Sequence, residues 1–221
     1  MSYDQTVYSD RAMRSMGRRN EQWGICGFTS SLYAMYQLNV AARPFLINAP
    51  RPFTILAEIK TYLQMLYAES KTELLNDIEW FTRSFGVVGG FDFGTFTPRS
   101  YILYINNSTS KYINADTQQT IKAIVSDPKF SIALPPEAVS DYLQRVWEYS
   151  SSISTMGPGG DAIIGVLDKT AKDNSSKPYG GLCHYVYRKS NKIYSWGNEY
   201  SSVTDASADF VPCWFIALAR K

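Results

Sequence analysis

Residues 182–200 read Leu-Cys-His-Tyr-Val-Tyr-Arg-Lys-Ser-Asn-Lys-Ile-Tyr-Ser-Trp-Gly-Asn-Glu-Tyr, and their reading decides the architecture. Two β-rich runs, 182–189 and 192–200, flank turn-forming residues, which predicts an antiparallel hairpin. With a three-residue loop of Ser190-Asn191-Lys192, Lys189 pairs with Ile193 and His184 lies opposite Asn198. Val186 then faces Trp196, and Arg188 faces Tyr194, all on one side. Directly opposed side chains sit about 4.5–5.5 Å apart at Cβ, close enough for an amide oxygen to hold an imidazole N–H. A loop of Asn191-Lys192 would instead oppose Glu199 to His184, and a loop of Ser190-Asn191 would oppose Gly197, which has no side chain to offer. We read Asn198 as the orienting partner of His184, with Glu199 as its alternative.

Around this hairpin lie further strand-like runs, AIIGVL (162–167) and PCWFIALA (212–219), preceded by SSSISTMGPGG (150–160), which reads as a flexible connector. The first two thirds of the chain has a different character. From Gly24, Phe28, Leu32, Met35, Tyr36 and Asn39 recur at helical spacing, predicting a helix buried on one side. Pro44, Pro50 and Pro52 then forbid its continuation. Further helices are expected over about 54–68, 71–84, 116–127 and 135–150, the last opening on Pro135-Pro136, where proline is tolerated. Residues 85–96, rich in glycine and phenylalanine, read as a loop or irregular strand pair, YILYI (101–105) has strand-like composition, and residues 1–22 read as polar and partly helical. Helices first and strands afterwards predict an α+β fold with a segregated antiparallel sheet, in a single domain over 1–221, helical to about 150 and β-rich from about 160.

The chain has 221 residues, 45% of them hydrophobic, and a formal net charge of +2. So balanced a charge argues against a nucleic-acid binder, whose footprint is a clustered basic face; Arg11, Arg14, Arg18 and Arg19 read as a solvated helix face. No window approaches the roughly 20 apolar residues of a membrane span. The polar N-terminus lacks the apolar stretch of a signal peptide, so synthesis in the cytoplasm is expected. Three cysteines (Cys26, Cys183, Cys213) do not make a disulfide framework. Their spacing to other ligands does not suit zinc, and no cofactor is expected.

A thiol becomes a nucleophile when its thiolate is stabilised, and a helix N-terminus does this through unpaired N–H groups and the helix dipole. Cys26 opens the first predicted helix, between Gly24 and Gly27, which permit a tight turn and a close approach. His184 is the chain's one histidine, so any Cys/His pair must use it. Gln22, four residues before Cys26, offers an amide donor that could bind a developing oxyanion together with the Cys26 N–H.

The segment Gln22-Trp23-Gly24-Ile25-Cys26-Gly27-Phe28 resembles the glutamine-to-cysteine segment of papain-like cysteine peptidases. Cys183-His184, followed by Tyr194-Ser195-Trp196-Gly197-Asn198, resembles that clan's histidine strand and its asparagine-serine-tryptophan-glycine segment. The order of glutamine, cysteine, histidine and asparagine also matches. The spacing from Gln22 to Cys26 is shorter than the clan's, and Tyr194 stands where its asparagine would precede Ser-Trp-Gly. The resemblance implies a papain-like fold and acyl-bond cleavage through a Cys26 thioester, with His184 as base, Asn198 as orienting residue and Gln22 in the oxyanion hole. The same plan serves bacterial effector proteases and toxins, glutamine deamidases and peptidoglycan amidases. It implies a protein or peptide substrate, an inhibitor or immunity partner, and delivery as a secreted or translocated virulence effector. A binding protein that keeps the fold without its chemistry is the contrasting expectation.

Overall fold

The computed structural model describes residues 24–38, 54–88, 90–112 and 127–219. The helix expected within residues 1–22, Gln22 itself and, but for Asp127, the helix expected over 116–127 lie outside them. Six helices are described: α1 (Cys26–Gln37), α2 (Thr54–Ala68), α3 (Thr72–Arg83), α4 (Pro98–Tyr112), α5 (Pro136–Trp147) and the short α6 (Val203–Ala206). Strands β1 (Val87–Val88) and β2 (Phe91–Asp92) form a small hairpin. The remaining strands are β3 (Ser150–Ser154), β4 (Ala162–Asp168), β5 (Leu182–Lys189), β6 (Lys192–Ser195), β7 (Asn198–Tyr200) and β8 (Phe210–Ala219). They build one antiparallel sheet in the order β3-β8-β4-β5-β6-β7. The chain is therefore α+β, with its large sheet drawn from the C-terminal third. Among the described residues no helix is long and apolar enough to cross a membrane.

The sheet separates two apolar clusters. Ile163, Leu182, Tyr185, Tyr187 and Ile216 pack with the helices in the main core. Ala162, Ile164, Val166, Val186 and Ile193 form a smaller cluster, covered by Val203 and Phe210. The period-2 alternation along β4 and β5 assigns neighbours to opposite faces. Helix α1 runs through the main core and is buried on every side from Cys26 to Met35, not on the one side that periodicity suggested. Its hydroxyls tolerate this because each finds an acceptor: Thr29 Oγ1 donates to Cys26 O (3.3 Å), Ser31 Oγ to Gly27 O (2.7 Å) and Ser30 Oγ to Tyr185 O on β5 (2.9 Å). Phe28, Tyr62 and Tyr142 meet edge to face at centroid separations of 5.0–5.9 Å, locking α1 to α2 and α5. Such pairs contribute about 0.5–1.5 kcal/mol each beyond burial.

Two expected elements change identity. YILYI is helical, because Pro98 opens α4 and Thr97 and Ser100 cap it reciprocally: Ser100 N donates to Thr97 Oγ1 (3.0 Å) and Thr97 N to Ser100 Oγ (3.2 Å). Tyr101, Ile102, Ile105 and Ser108 then share the buried face. The start of the expected connector is strand β3, with Ser150 paired to Ala219 and Ser154 to Phe215. Its partner is remote in sequence, so local composition could not announce it.

Gly27 measures how close this packing is. A Cβ there would lie 3.1 Å from both Leu134 Cβ and Val139 Cγ2. Glycine to alanine inside a helix ordinarily stabilises by about 1 kcal/mol; here overpacking reverses the sign. Gly27→Ala should lower the unfolding free energy by about 1–3 kcal/mol in urea melts. A variant as stable as the parent would mean that α1 does not sit this close to α5.

Candidate active site

Cys26 is the first residue of α1. Gly24, at φ +58°, turns the chain into the helix, and Ile25 caps it with no side-chain hydrogen bond to the first-turn N–H groups. Phe28 N–H turns back to Ile25 O at 3.1 Å, which leaves the N–H groups of Cys26 and Gly27 beside the thiol. The backbone N–H groups of Tyr185 and Gly27 both favour the Cys26 thiolate, but burial outweighs them and pushes the thiol up to about 12. Cys183 and Cys213 are also raised by burial, to about 11 and about 12. They donate to Val166 O and Gly165 O on β4, each at 3.4 Å. All three thiols are therefore neutral at pH 7.

His184 sits on β5 opposite Val166, where the register of β4 against β5 breaks at Cys183. A bulge of this kind re-aims the neighbouring side chain. The imidazole stacks on Trp196 (centroids 4.5 Å, interplanar 15°) and on Phe210 (5.5 Å). Nε2 hydrogen-bonds with Ser195 Oγ at 2.7 Å. Burial pushes this histidine down to about 3, so it is a neutral imidazole across the physiological range.

The expected orienting residues lie elsewhere. The β5–β6 turn has two residues, Ser190 and Asn191, so Lys189 pairs with Lys192, Arg188 with Ile193 and Tyr187 with Tyr194. The three-residue register is thereby corrected by one position, to the alternative that opposes no useful side chain to His184. Residues 192–200 are also not one strand. Trp196 (φ +46°) and Gly197 (φ +75°) make a second two-residue turn that pairs Ser195 with Asn198, the both-positive pattern of a type I′ hairpin. Asn198 is exposed, and its amide nitrogen lies 3.5 Å from Trp196 O. Glu199 is exposed and ion-paired with Lys192. Ser195 takes the position expected of Asn198. A left-handed conformation is strained for a bulky residue, and at Trp196 it accompanies an indole laid flat against His184.

Cys26 and His184 line one pocket of about 200 Å³, together with Gly24, Cys183, Leu182 and Tyr185. Its remaining wall is largely apolar and comes from α3, the β1–β2 hairpin and residues 131–134. Ser195 and this wall were not foreseen. The Trp-Gly pair after a β-run was the available signal for a turn that would bring Ser195 to the histidine. Among the described residues, no group of three or more His, Cys, Asp or Glu side chains could hold a metal ion. No family model, curated protein or solved structure matches the chain.

With one histidine in the chain, its titration is readable in stability. The unfolded chain takes up a proton near the ordinary 6.5 and the folded chain only near 3. Between these values the unfolded state binds more protons, so stability is full above about 6.5 and falls as pH is lowered toward 3. This group contributes a slope approaching about 1.4 kcal/mol per pH unit. Urea melts at pH 7, 6, 5 and 4 should show a shallower decline in His184→Gln than in the parent. Parallel profiles would mean that the imidazole is not buried in its neutral form.

Proposed function

We propose that this chain is a cysteine hydrolase built on a papain-like plan, cleaving peptide or related acyl bonds with Cys26 as nucleophile and His184 as base. The supporting observation is that the first residue of a buried, side-chain-uncapped helix and the only histidine of the adjoining strand line the same pocket. The resting pair is neutral, since burial raises the thiol and lowers the imidazole. As the sulfur attacks the carbonyl carbon, the thiol proton passes to the imidazole. Negative charge then forms on the carbonyl oxygen, beside the N-terminus of α1, whose N–H groups and dipole favour it. The imidazolium returns the proton to the leaving amine and a thioester remains. Water, deprotonated by His184, hydrolyses the thioester and restores the thiol.

Ser195 suits the role of orienting group. If Nε2–H donates to its hydroxyl, Nδ1 becomes the nitrogen that accepts the proton. A hydroxyl stabilises imidazolium less than a carboxylate does, and stacked Trp196 helps by excluding water. Gln22 is kept in this proposal as the side-chain donor to the oxyanion. Deamidation of glutamine and cleavage of peptidoglycan peptides would use the same steps.

One observation favours a second reading, a binding protein that retains the fold: both groups are buried and held in their neutral forms. Alkylation by iodoacetamide, mapped by mass spectrometry at each cysteine, separates the two. If His184 is the base, His184→Ala should slow modification of Cys26 and peptide hydrolysis by at least about 100-fold. Ser195→Ala should reduce hydrolysis by about tenfold, with Ser195→Thr restoring most of it. Alkylation of Cys26 indifferent to His184 would support the binding protein.

A further inference from the structure

The pocket shared by Cys26 and His184 has no charged side chain in its wall. Phe81, Phe85, Val88, Phe93, Ile132 and Leu134 supply most of it. Two of its hydroxyls, those of Thr82 and Tyr185, are already engaged within the fold. Thr82 Oγ1 donates to Ala133 O and accepts from Ala133 N, both at 3.1 Å, and Tyr185 OH donates to Leu134 O at 3.0 Å. A polar group entering here would lose its water and find few partners, which is unfavourable by kilocalories.

Size narrows the occupant further. An apolar cavity of about 150 Å³ holds one benzene molecule. At about 200 Å³ this pocket fits a single aromatic or branched aliphatic side chain; a fatty acyl chain of about fourteen carbons needs more than twice the room of benzene.

The mouth adds a second observation. Phe85 and Val88 belong to the wall yet remain 37% and 50% exposed, and Val87 and Trp80 beside them are 69% and 55% exposed. The apolar surface thus continues from the pocket onto the outside of α3 and the β1–β2 hairpin. Within the described residues that hairpin is a sheet of two strands, and an exposed strand edge is a template for an extended chain.

Resting on the cysteine hydrolase reading above, we infer that the substrate is a polypeptide segment bound extended along the β1–β2 hairpin. One aromatic or branched aliphatic side chain next to the scissile carbonyl is buried in the pocket, and apolar neighbours lie on Trp80 and Val87. Specificity is then set by the apolar side chain and not by charge, and folded substrates must expose such a segment before they are cut.

Peptidyl chloromethyl ketones test this, because the Cys26 sulfur displaces chloride and the adduct is read by mass. Acetyl-Gly-X-Gly and acetyl-Gly-Gly-X chloromethyl ketones, with X as Phe, Leu, Asp or Lys, would be compared after dividing each rate by that of iodoacetamide. Phe or Leu in at least one of the two positions should label Cys26 at least about tenfold faster than Asp or Lys. Val88→Asp and, independently, Phe85→Ala should reduce that ratio to under about threefold. Equal labelling, a preference for a charged X, or faster labelling by a tetradecyl chloromethyl ketone would each overturn the inference. The iodoacetamide rates separate the two levels: dependence on His184 without discrimination among the peptides sinks only the pocket assignment. Loss of that dependence sinks the hydrolase reading itself.

Discussion

The contact between α1 and β5 is the constraint on which the rest of this structure depends. Two hydrogen bonds hold it, Ser30 Oγ to Tyr185 O and Lys189 Nζ to Gln37 O at 2.6 Å, and Tyr33 stacked at 5.8 Å on Tyr194 of the adjoining β6 braces it. The lysine tie is charge-assisted, and it meets the carbonyl end of the helix, where a cation also favours the dipole. Gly27 lets the opposite side of the helix lie against Leu134 and Val139.

Burial, the condition for this arrangement, also sets its chemistry. The same low-dielectric surroundings raise the thiol and lower the imidazole, because each is opposed in its charged form. A thiolate–imidazolium pair does not pre-exist; in the proposed chemistry, separated charge is generated only when a substrate carbonyl is present to accept it. Trp196 and Phe210, themselves 5.7 Å apart, pack against the imidazole and keep water from it, and Ser195 hydrogen-bonds with Nε2. Neutral side chains in an apolar pocket suit an apolar group more than a charged one.

Much of the fold was legible because its signals are local. The helical spacing from Phe28 to Met35, the Pro135-Pro136 start of α5 and the turn-formers at 190–191 each pointed to the right element. What escaped was set by distant or conformational factors. Strand β3 exists because β8 pairs with it from the far end of the chain. YILYI is helical because of caps at Thr97 and Ser100, outside the pentapeptide. Cys26 and His184 were singled out by residue type and by there being one histidine, and both line the pocket. The orienting partner was not singled out, because a one-residue change of loop length moves every opposed pair. The left-handed Trp196 also folds residues 192–200 back on themselves, bringing forward a serine that no triad pattern would have singled out.

The single histidine allows one direct measurement of the central claim, that α1 and β5 bring a neutral Cys26 thiol and a neutral imidazole to one site. Nitrogen-15 NMR of protein labelled at histidine reports the protonation and tautomer of His184 alone. Burial predicts a neutral ring at pH 6, and the proposed chemistry requires it to be protonated at Nε2 with an Nδ1 resonance that moves when Cys26 is replaced by alanine. An imidazolium at pH 6, or a spectrum unchanged by Cys26→Ala, would contradict it.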